Sequence, residues 1–320
     1  MSWITVFFVA VIAVCSFCAI IFNRRMDKYD KSMEGWIEMD EMEYVTLNTG
    51  AKMPMLGFGV FQVDDGQVAI EAIKTALAAG YRSIDTATIY GNEKSVGVAM
   101  KESDVPREEI FLTTKLWNEV QRTGDPEAAF AQSLKDLDTD YVDLYLIHWP
   151  VKGKYVDTWL AMEKIYKSGR AKAIGISNFH EHHIEDIKKV WSVVPAMNQI
   201  EMHPNLTQKP LLECCKKHGI IPQSWSPLGG SAGTNGVRDN LLENEVLKKI
   251  GAKYGKSPAQ VILRWNVDLG VVAIPKSVTA SRIKDNINLF DFKLSAEDVA
   301  AIDALNKDQR VGPDPDDFNF

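Results

Sequence analysis

"GFGVFQ", residues 57–62, decides between two architectures for this chain. It sits in a β-forming run and opens as G-x-G, the start of the fingerprint G-x-G-x-x-G that holds a pyrophosphate in doubly wound open sheets. The third glycine is missing. The open-sheet signal therefore fails, and "MLGFGV" stands as the first strand of a different fold. Downstream, β-forming and helix-periodic segments alternate. The remaining strands are "YRSIDT", "EIFLTTKL", "YVDLYLIH", "AKAIGIS", "AMNQIEM", "IIPQSWS" and "VVAIPKS". Between them lie the helical patterns "GQVAIEAIKTALAAG", "EKSVGVAMKE", "DPEAAFAQSLKDL", "YVDTWLAMEKIYKSG", "HHIEDIKKV" and "KPLLECCKKHG". Two helices, "NEVLKKIGAKYG" and "SPAQVILRWNVDLG", precede the last strand, and "SRIKDNINL" follows it. "SAEDVAAIDALN" adds a helix near the end, with Ser295 and Asp298 at a capping-type start. Strands at a spacing near ~30 residues predict an α/β fold, a (β/α)8 TIM barrel with extra helices. Upstream, "YVTLNTGAKMPML" predicts an N-terminal β-hairpin around Asn48-Thr49-Gly50.

The 320 residues are 46% hydrophobic, enough for a large core, and α/β barrels of about 250 residues form one domain. A formal charge of −7 argues against a nucleic-acid partner, so any anion site has to be built locally. From Trp3 to Phe22 the chain is almost wholly apolar, with Thr5 and Ser16 as mild exceptions. About 20 residues at helical rise span a bilayer core, so residues 1–22 are expected to form a single N-terminal hydrophobic helix, a membrane anchor. No Lys or Arg precedes the run and no small-residue cleavage site follows, which argues against a signal peptide. Arg24, Arg25 and Lys28 then place the remainder in the cytosol. Residues 23–43 read as a charged linker and 44–320 as the barrel. The alternative is a start at Met33, Met39 or Met42, which gives a soluble cytoplasmic chain. Cys15 and Cys18 lie in the apolar run and Cys214 and Cys215 in a helical pattern. Neither pair resembles a disulfide framework, and reduced thiols are expected.

The polar residues that close strands carry the chemistry. Asp85, Lys115 and His148 finish "SIDT", "LTTK" and "YLIH". Parallel barrel strands all end on one face, so these distant residues converge there, and Tyr90 in "SIDTATIYGNE" reaches the same mouth. A free phenol has a pKa near ~10, too high for a good general acid at neutral pH. A neighbouring ammonium is expected to lower it, with a carboxylate holding the ammonium. Taken singly, Asp85 is a turn residue, Lys115 surface, His148 a satisfied core histidine and Tyr90 loop packing. Together, at successive strand ends, they form a relay in which His148 positions a carbonyl oxygen beside the phenol.

"GFGVFQ", "SIDTATIYGNE", "FLTTKLWN", "YLIHWP", "GISNF", "NQIEMHP", "SWSPLG" and "IPKSVTASRIKDN" resemble the ordered motifs of the aldo-keto reductases. The resemblance runs from Tyr44 to Phe320, and the ending "RVGPDPDDFNF" is similar to the short-tailed microbial members, the diketogluconate reductases and prostaglandin F synthase-like enzymes. It implies a (β/α)8 barrel that reduces aldehydes and ketones to alcohols with NAD(P)H, and a catalytic tetrad of Asp85, Tyr90, Lys115 and His148 with Tyr90 as proton donor. It also implies that Ser177, Asn178 and Gln199 hold the nicotinamide carboxamide, beside Asp85. Taken alone, Asn178 also suits a helix cap before "FHEHH". Trp225 stands where the family usually has a Tyr beneath the nicotinamide, and an indole still offers an apolar face. Gly59, Ser226 and Leu228 are further implied cofactor contacts.

Lys276 and Arg282 put two cations on one anion, with Ser277 adding a hydroxyl. An NADP 2′-phosphate needs such a cluster, whereas a solvated helix start does not. NADPH is therefore the expected cofactor, with NADH a weaker substitute. Val278, Asp285 and Asn286 complete the implied set. Asn286 matches the family's adenine contact, and Asp285 stands where Glu is commoner. Phe61, Trp117 and Trp149, beside Tyr90 and His148, are expected to wall a pocket for small carbonyl substrates. His180, His182 and His183 suggest a metal site, but no acid or thiol accompanies them at ligand spacing. A solvated helix start is the expectation, with no metal. Monomers are common in the subgroup, so a monomeric catalytic domain is expected. The alternative function on the same fold is a nonenzymatic NADP-binding sensor or scaffold.

Overall fold

Eight short parallel strands, each followed by at least one turn of helix, build the molecule. The computed structural model describes residues 42–230 and 240–317; the predicted anchor and almost all of the predicted linker lie outside the described residues. Among the described residues no helix is long and apolar enough to cross a membrane. A hairpin of β1 (Tyr44–Thr46) and β2 (Lys52–Pro54) precedes the barrel, as its turn residues predict. The barrel strands are β3 (Phe58–Gly59), β4 (Ser83–Asp85), β5 (Phe111–Leu116), β6 (Leu144–Ile147), β7 (Ile174–Ser177), β8 (Met197–Glu201), β9 (Ile221–Trp225) and β10 (Val272–Ala273). They pair in sequence order. The ring closes where Gly57 N–H donates to Ala273 O (2.8 Å), Ala273 N–H to Met55 O (3.0 Å) and Gly59 N–H to Pro275 O (3.0 Å).

The helices are α1 (Gln67–Ala78), α2 (Glu93–Glu102), α3 (Asn118–Thr123), α4 (Pro126–Asp136), α5 (Tyr155–Lys167), α6 (Glu181–Lys188), α7 (Lys209–His218), α8 (Glu245–Tyr254), α9 (Pro258–Asp268), α10 (Ala280–Ile287) and α11 (Ala296–Asp303). Their starts follow local chemistry. Asp125 Oδ1 accepts from Glu127 and Ala128 N–H with Pro126 at the first helical position, and Ser295 Oγ accepts from Asp298 N–H. Among the described residues, the one α-helix that the periodicity does not predict is the short α3. Strand residues such as Leu144, Leu146, Ile176 and Ile200 are buried, because barrel strands face side chains inside and helices outside. The hairpin enters at the N-terminal ends of the strands, where Asn48 Nδ2 donates to Val194 and Pro195 O (both 3.2 Å), which leaves the opposite face free for chemistry.

Candidate active site

Asp85 closes β4 and Lys115 lies one residue from the end of β5. The register, Asp85 opposite Thr113 and Lys115 opposite Leu146, brings both to the same mouth. Lys115 is fully buried. An ammonium has three hydrogens and no lone pair. Nζ donates to Asp85 Oδ1 (2.5 Å), the Thr86 carbonyl (2.9 Å) and Tyr90 Oη (3.5 Å). The phenol oxygen is thus the acceptor, and its own hydrogen is left to point elsewhere. Tyr90 ends a 3-10 turn, Thr88–Tyr90, whose next residue Gly91 takes φ 70°, the left-handed region that glycine occupies without strain. Buried Asn92 pins this turn. Its Oδ1 accepts from Thr86 Oγ1 (2.9 Å), and its Nδ2 donates to the carbonyls of Val60 (2.9 Å) and Val63 (3.1 Å).

His148 follows β6 and stands edge-on to Tyr90 (centroids 5.6 Å) and to Trp117 (5.3 Å), while Phe61 lies 4.9 Å from the Tyr90 ring. These four rings line one side of the mouth, with Phe61 exposed at its rim. Trp149 is buried, and its carbonyl accepts from Gln121 Nε2 (2.9 Å). Burial, then the Asp85 charge, pushes the Tyr90 phenol well above its ordinary value. This reverses the expectation that Lys115 lowers it. The ammonium is already matched by Asp85, and burial strips solvation from the phenolate. Burial also lowers the Lys115 ammonium, against the pull of Asp85. His148 is driven well below its usual range by burial and by Lys115, so the imidazole is neutral. Its buried Nδ1 has no hydrogen-bond partner among the described residues.

The predicted carboxamide residues form one cross-strand group. Ser177, Gln199 and Gln223 stand in register on β7, β8 and β9. Gln199 Nε2 donates to Gln223 Oε1 and to Asp85 Oδ2, both at 2.7 Å. Because β4 and β8 are opposite one another in the ring, the second bond crosses the barrel lumen. Asn178 has φ 64° and does not cap α6, whose N-cap is His180. Its Nδ2 donates to His148 O (3.0 Å) and Ser177 Oγ (3.1 Å), and its Oδ1 accepts from Trp225 Nε1 (2.8 Å). Ser226, after β9, takes φ 48°, and Leu228 is half-buried in the same loop. Gly59 lies against Pro275, one residue before Lys276. Lys276 and Val278 are exposed after β10, and Arg282 and Asp285 are exposed on α10 with Asn286 buried beside them. Ser277 Oγ accepts from Thr279 N–H (3.1 Å).

Three features escape the sequence reading. Gln223 is one, although a polar residue inside "IIPQSWS" is a visible signal. Glu201 is another: this buried carboxylate accepts from Val311 N–H (2.5 Å), Gly312 N–H (3.1 Å) and His203 Nε2 (3.0 Å). It fastens the C-terminal segment so that Gly312 lies against the Trp225 indole, where a Cβ would stand 2.4 Å from Cη2. No motif spacing signals that contact. The third is an acid for the three histidines. Asp316 lies 3.0 Å from His180 Nδ1, 3.1 Å from His182 Nε2 and 3.5 Å from His183 Nε2, which corrects the expectation that none accompanies them.

The aldo/keto reductase family model matches residues 55–307. Over 276 residues, 86% of this chain and 97% of the relative, the chain is 54% identical to the glyoxal reductase of Bacillus subtilis. It is 46% identical over 276 residues to the methylglyoxal reductase DkgA of Salmonella typhimurium, with the same coverage of 86% and 97%. Among solved structures, an aldo-keto reductase of Bombyx mori in complex with NADP aligns with a TM-score of 0.79 at 37% identity, covering 85% of this chain and 95% of that one.

Proposed function

The chain belongs to the aldo/keto reductase family, and from that premise we propose how its residues divide the work. It is an oxidoreductase that reduces carbonyl groups with NADPH. The observation that carries the residue assignment is the one-way hydrogen bonding of Lys115: because Nζ only donates, the Tyr90 hydrogen is free for a substrate oxygen. Bound NADPH supplies the hydride. Tyr90 gives its proton to the carbonyl oxygen, and neutral His148 donates a hydrogen bond to the same oxygen. As charge develops on Tyr90 Oη, the long contact to the Lys115 ammonium gains a charged acceptor and strengthens. Asp85, anchored by Gln199, keeps the ammonium in place.

The residues present suit the cofactor. The side-chain oxygen Oε1 of Gln199 accepts no hydrogen bond from a described residue, which leaves it for the NH2 of a carboxamide, while its backbone carbonyl accepts from Ser177 Oγ and Asn178 N–H. Lys276 and Arg282 form no ion pair with a described residue, as a pair reserved for a 2′-phosphate would not. Trp225 offers its face beneath the ring. The substrate class follows the named relatives: small α-dicarbonyls of the glyoxal and methylglyoxal type, against the wall of Phe61, Trp117 and Trp149. The barrel acts as a monomer tethered through residues 1–22, with NADH a weaker donor.

Steady-state NADPH oxidation with glyoxal, methylglyoxal and a wider aldehyde panel tests this. Tyr90→Phe is expected to lower kcat by about 10²–10⁴-fold while NADPH binding persists. A wild type that binds NADPH and turns over no carbonyl would favour the sensor or scaffold reading instead. In the double variant Lys276→Ala, Arg282→Ala, the loss of two charge-assisted contacts, each about 1.5–3 kcal/mol, weakens NADPH binding far more than NADH binding. Equal losses would sink the 2′-phosphate assignment.

A further inference from the structure

We propose that His180, His182 and Asp316 form a binding site for a divalent transition-metal ion of the zinc type, apart from the chemistry at the barrel mouth. Ligand atoms of these three residues and His183 all lie within 4.8 Å of one another. Zinc bonds of about 2.0–2.1 Å in tetrahedral arrangement put neighbouring ligand atoms roughly 3.4 Å apart. The distances from Asp316 to His180 Nδ1 (3.0 Å) and His182 Nε2 (3.1 Å) are already at that scale. The carboxylate presents Oδ2 to one ring and Oδ1 to the other, so an ion between them meets two imidazoles and a carboxylate, with a remaining position for water. Imidazole and carboxylate donors together suit zinc and its first-row neighbours.

Proton placement separates ligands from support. His183 Nδ1 accepts the backbone N–H of His180 (3.1 Å), so its ring hydrogen is on Nε2, which faces Asp316 Oδ1 at 3.5 Å. A nitrogen that carries its hydrogen cannot coordinate. His183 therefore orients the carboxylate from outside the ligand set, as ring N–H groups do around metal sites. His180 Nε2 accepts from Arg310 Nη2 (2.9 Å), and coordination through Nδ1 moves the ring hydrogen to Nε2. Arg310 must then turn away, and Asp314, 3.6 Å from its Nε, is the partner it turns to. The ion would staple the start of α6 to the segment whose Gly312 covers Trp225, so occupancy is coupled to the cofactor side of the barrel.

Zn²⁺ titrated calorimetrically into the full chain, with the melting temperature followed in parallel, tests the site. One saturable ion per chain and a rise in melting temperature are expected. His182→Ala and Asp316→Asn, both at exposed side chains that the core does not need, each abolish the binding and the rise. His183→Ala weakens affinity by about 10–100-fold without removing the site. Cys214→Ser, a control for thiol capture, leaves binding intact. Failure of the wild type to take up Zn²⁺ overturns the proposal. So does binding that survives Asp316→Asn or disappears in Cys214→Ser.

Discussion

Tyr90 keeps its proton because its surroundings penalise the phenolate, and His148 stays neutral because they penalise the imidazolium. An unperturbed Tyr titrates near ~10 and an unperturbed His near ~6.5, and each is displaced outward from that interval. With NADPH saturating, kcat/KM for the carbonyl is therefore expected to be flat from about pH 7 to 9; a descending limb centred within that range would identify another proton donor. Stability has its own pH dependence. His183 is pushed down to about 4 by burial and by His182, and His148 is lowered well below its usual range. Below ~6.5 the unfolded chain binds protons that the folded one refuses, so stability falls as pH drops toward about 4. Urea midpoints across that window check the sign. Gly312→Ala is a separate test. Its methyl group collides with Trp225 Cη2 and shifts the indole, so the KM for NADPH should rise and the tryptophan emission change while the fold is retained.

At the scale of elements, the strand ends were legible and the ties between them were not. "SIDT", "LTTK" and "YLIH" announce their polar termini because a buried strand has few other reasons to finish on Asp, Lys or His. The turn before α2 was legible too, since Gly91 and Asn92 have local reasons to be there. The left-handed backbone at Asn178 and Ser226 was hidden, because no glycine marks either position. So was the Glu201 clasp, whose backbone donors Val311 and Gly312 lie 110 and 111 residues further along the chain. Another such tie is Arg264 on α9. Its fully buried guanidinium joins Asp268 (2.6 Å) and Glu43 (2.7 Å) and reaches the Leu289 carbonyl (3.4 Å). Arg264→Ala leaves Asp268 without its cation and is expected to cost about 3 kcal/mol. That loss is read as a drop of several degrees in melting temperature, with kcat unchanged per folded molecule.

For the whole molecule, residues 42–320 form a compact unit of their own. A chain that begins at Met42 is thus expected to keep the kcat/KM of the full chain, and the proposed anchor predicts that carbonate extraction releases it while the full chain stays with the membrane. Full-length protein that is equally extractable would argue against the anchor. On the proposed division of work, the bond from Gln199 to Asp85 also bears on how Tyr90 regains its proton. It fixes the carboxylate that holds Lys115, whose three hydrogens go to Asp85, the Thr86 carbonyl and Tyr90 Oη. The hydrogen bond from Nζ to Tyr90 Oη is itself a path by which the ammonium can return a proton to the phenolate left by a reduction. Recharging of Tyr90 from the lysine side does not require the alcohol to leave first, so product departure and proton return are separate events on this reading.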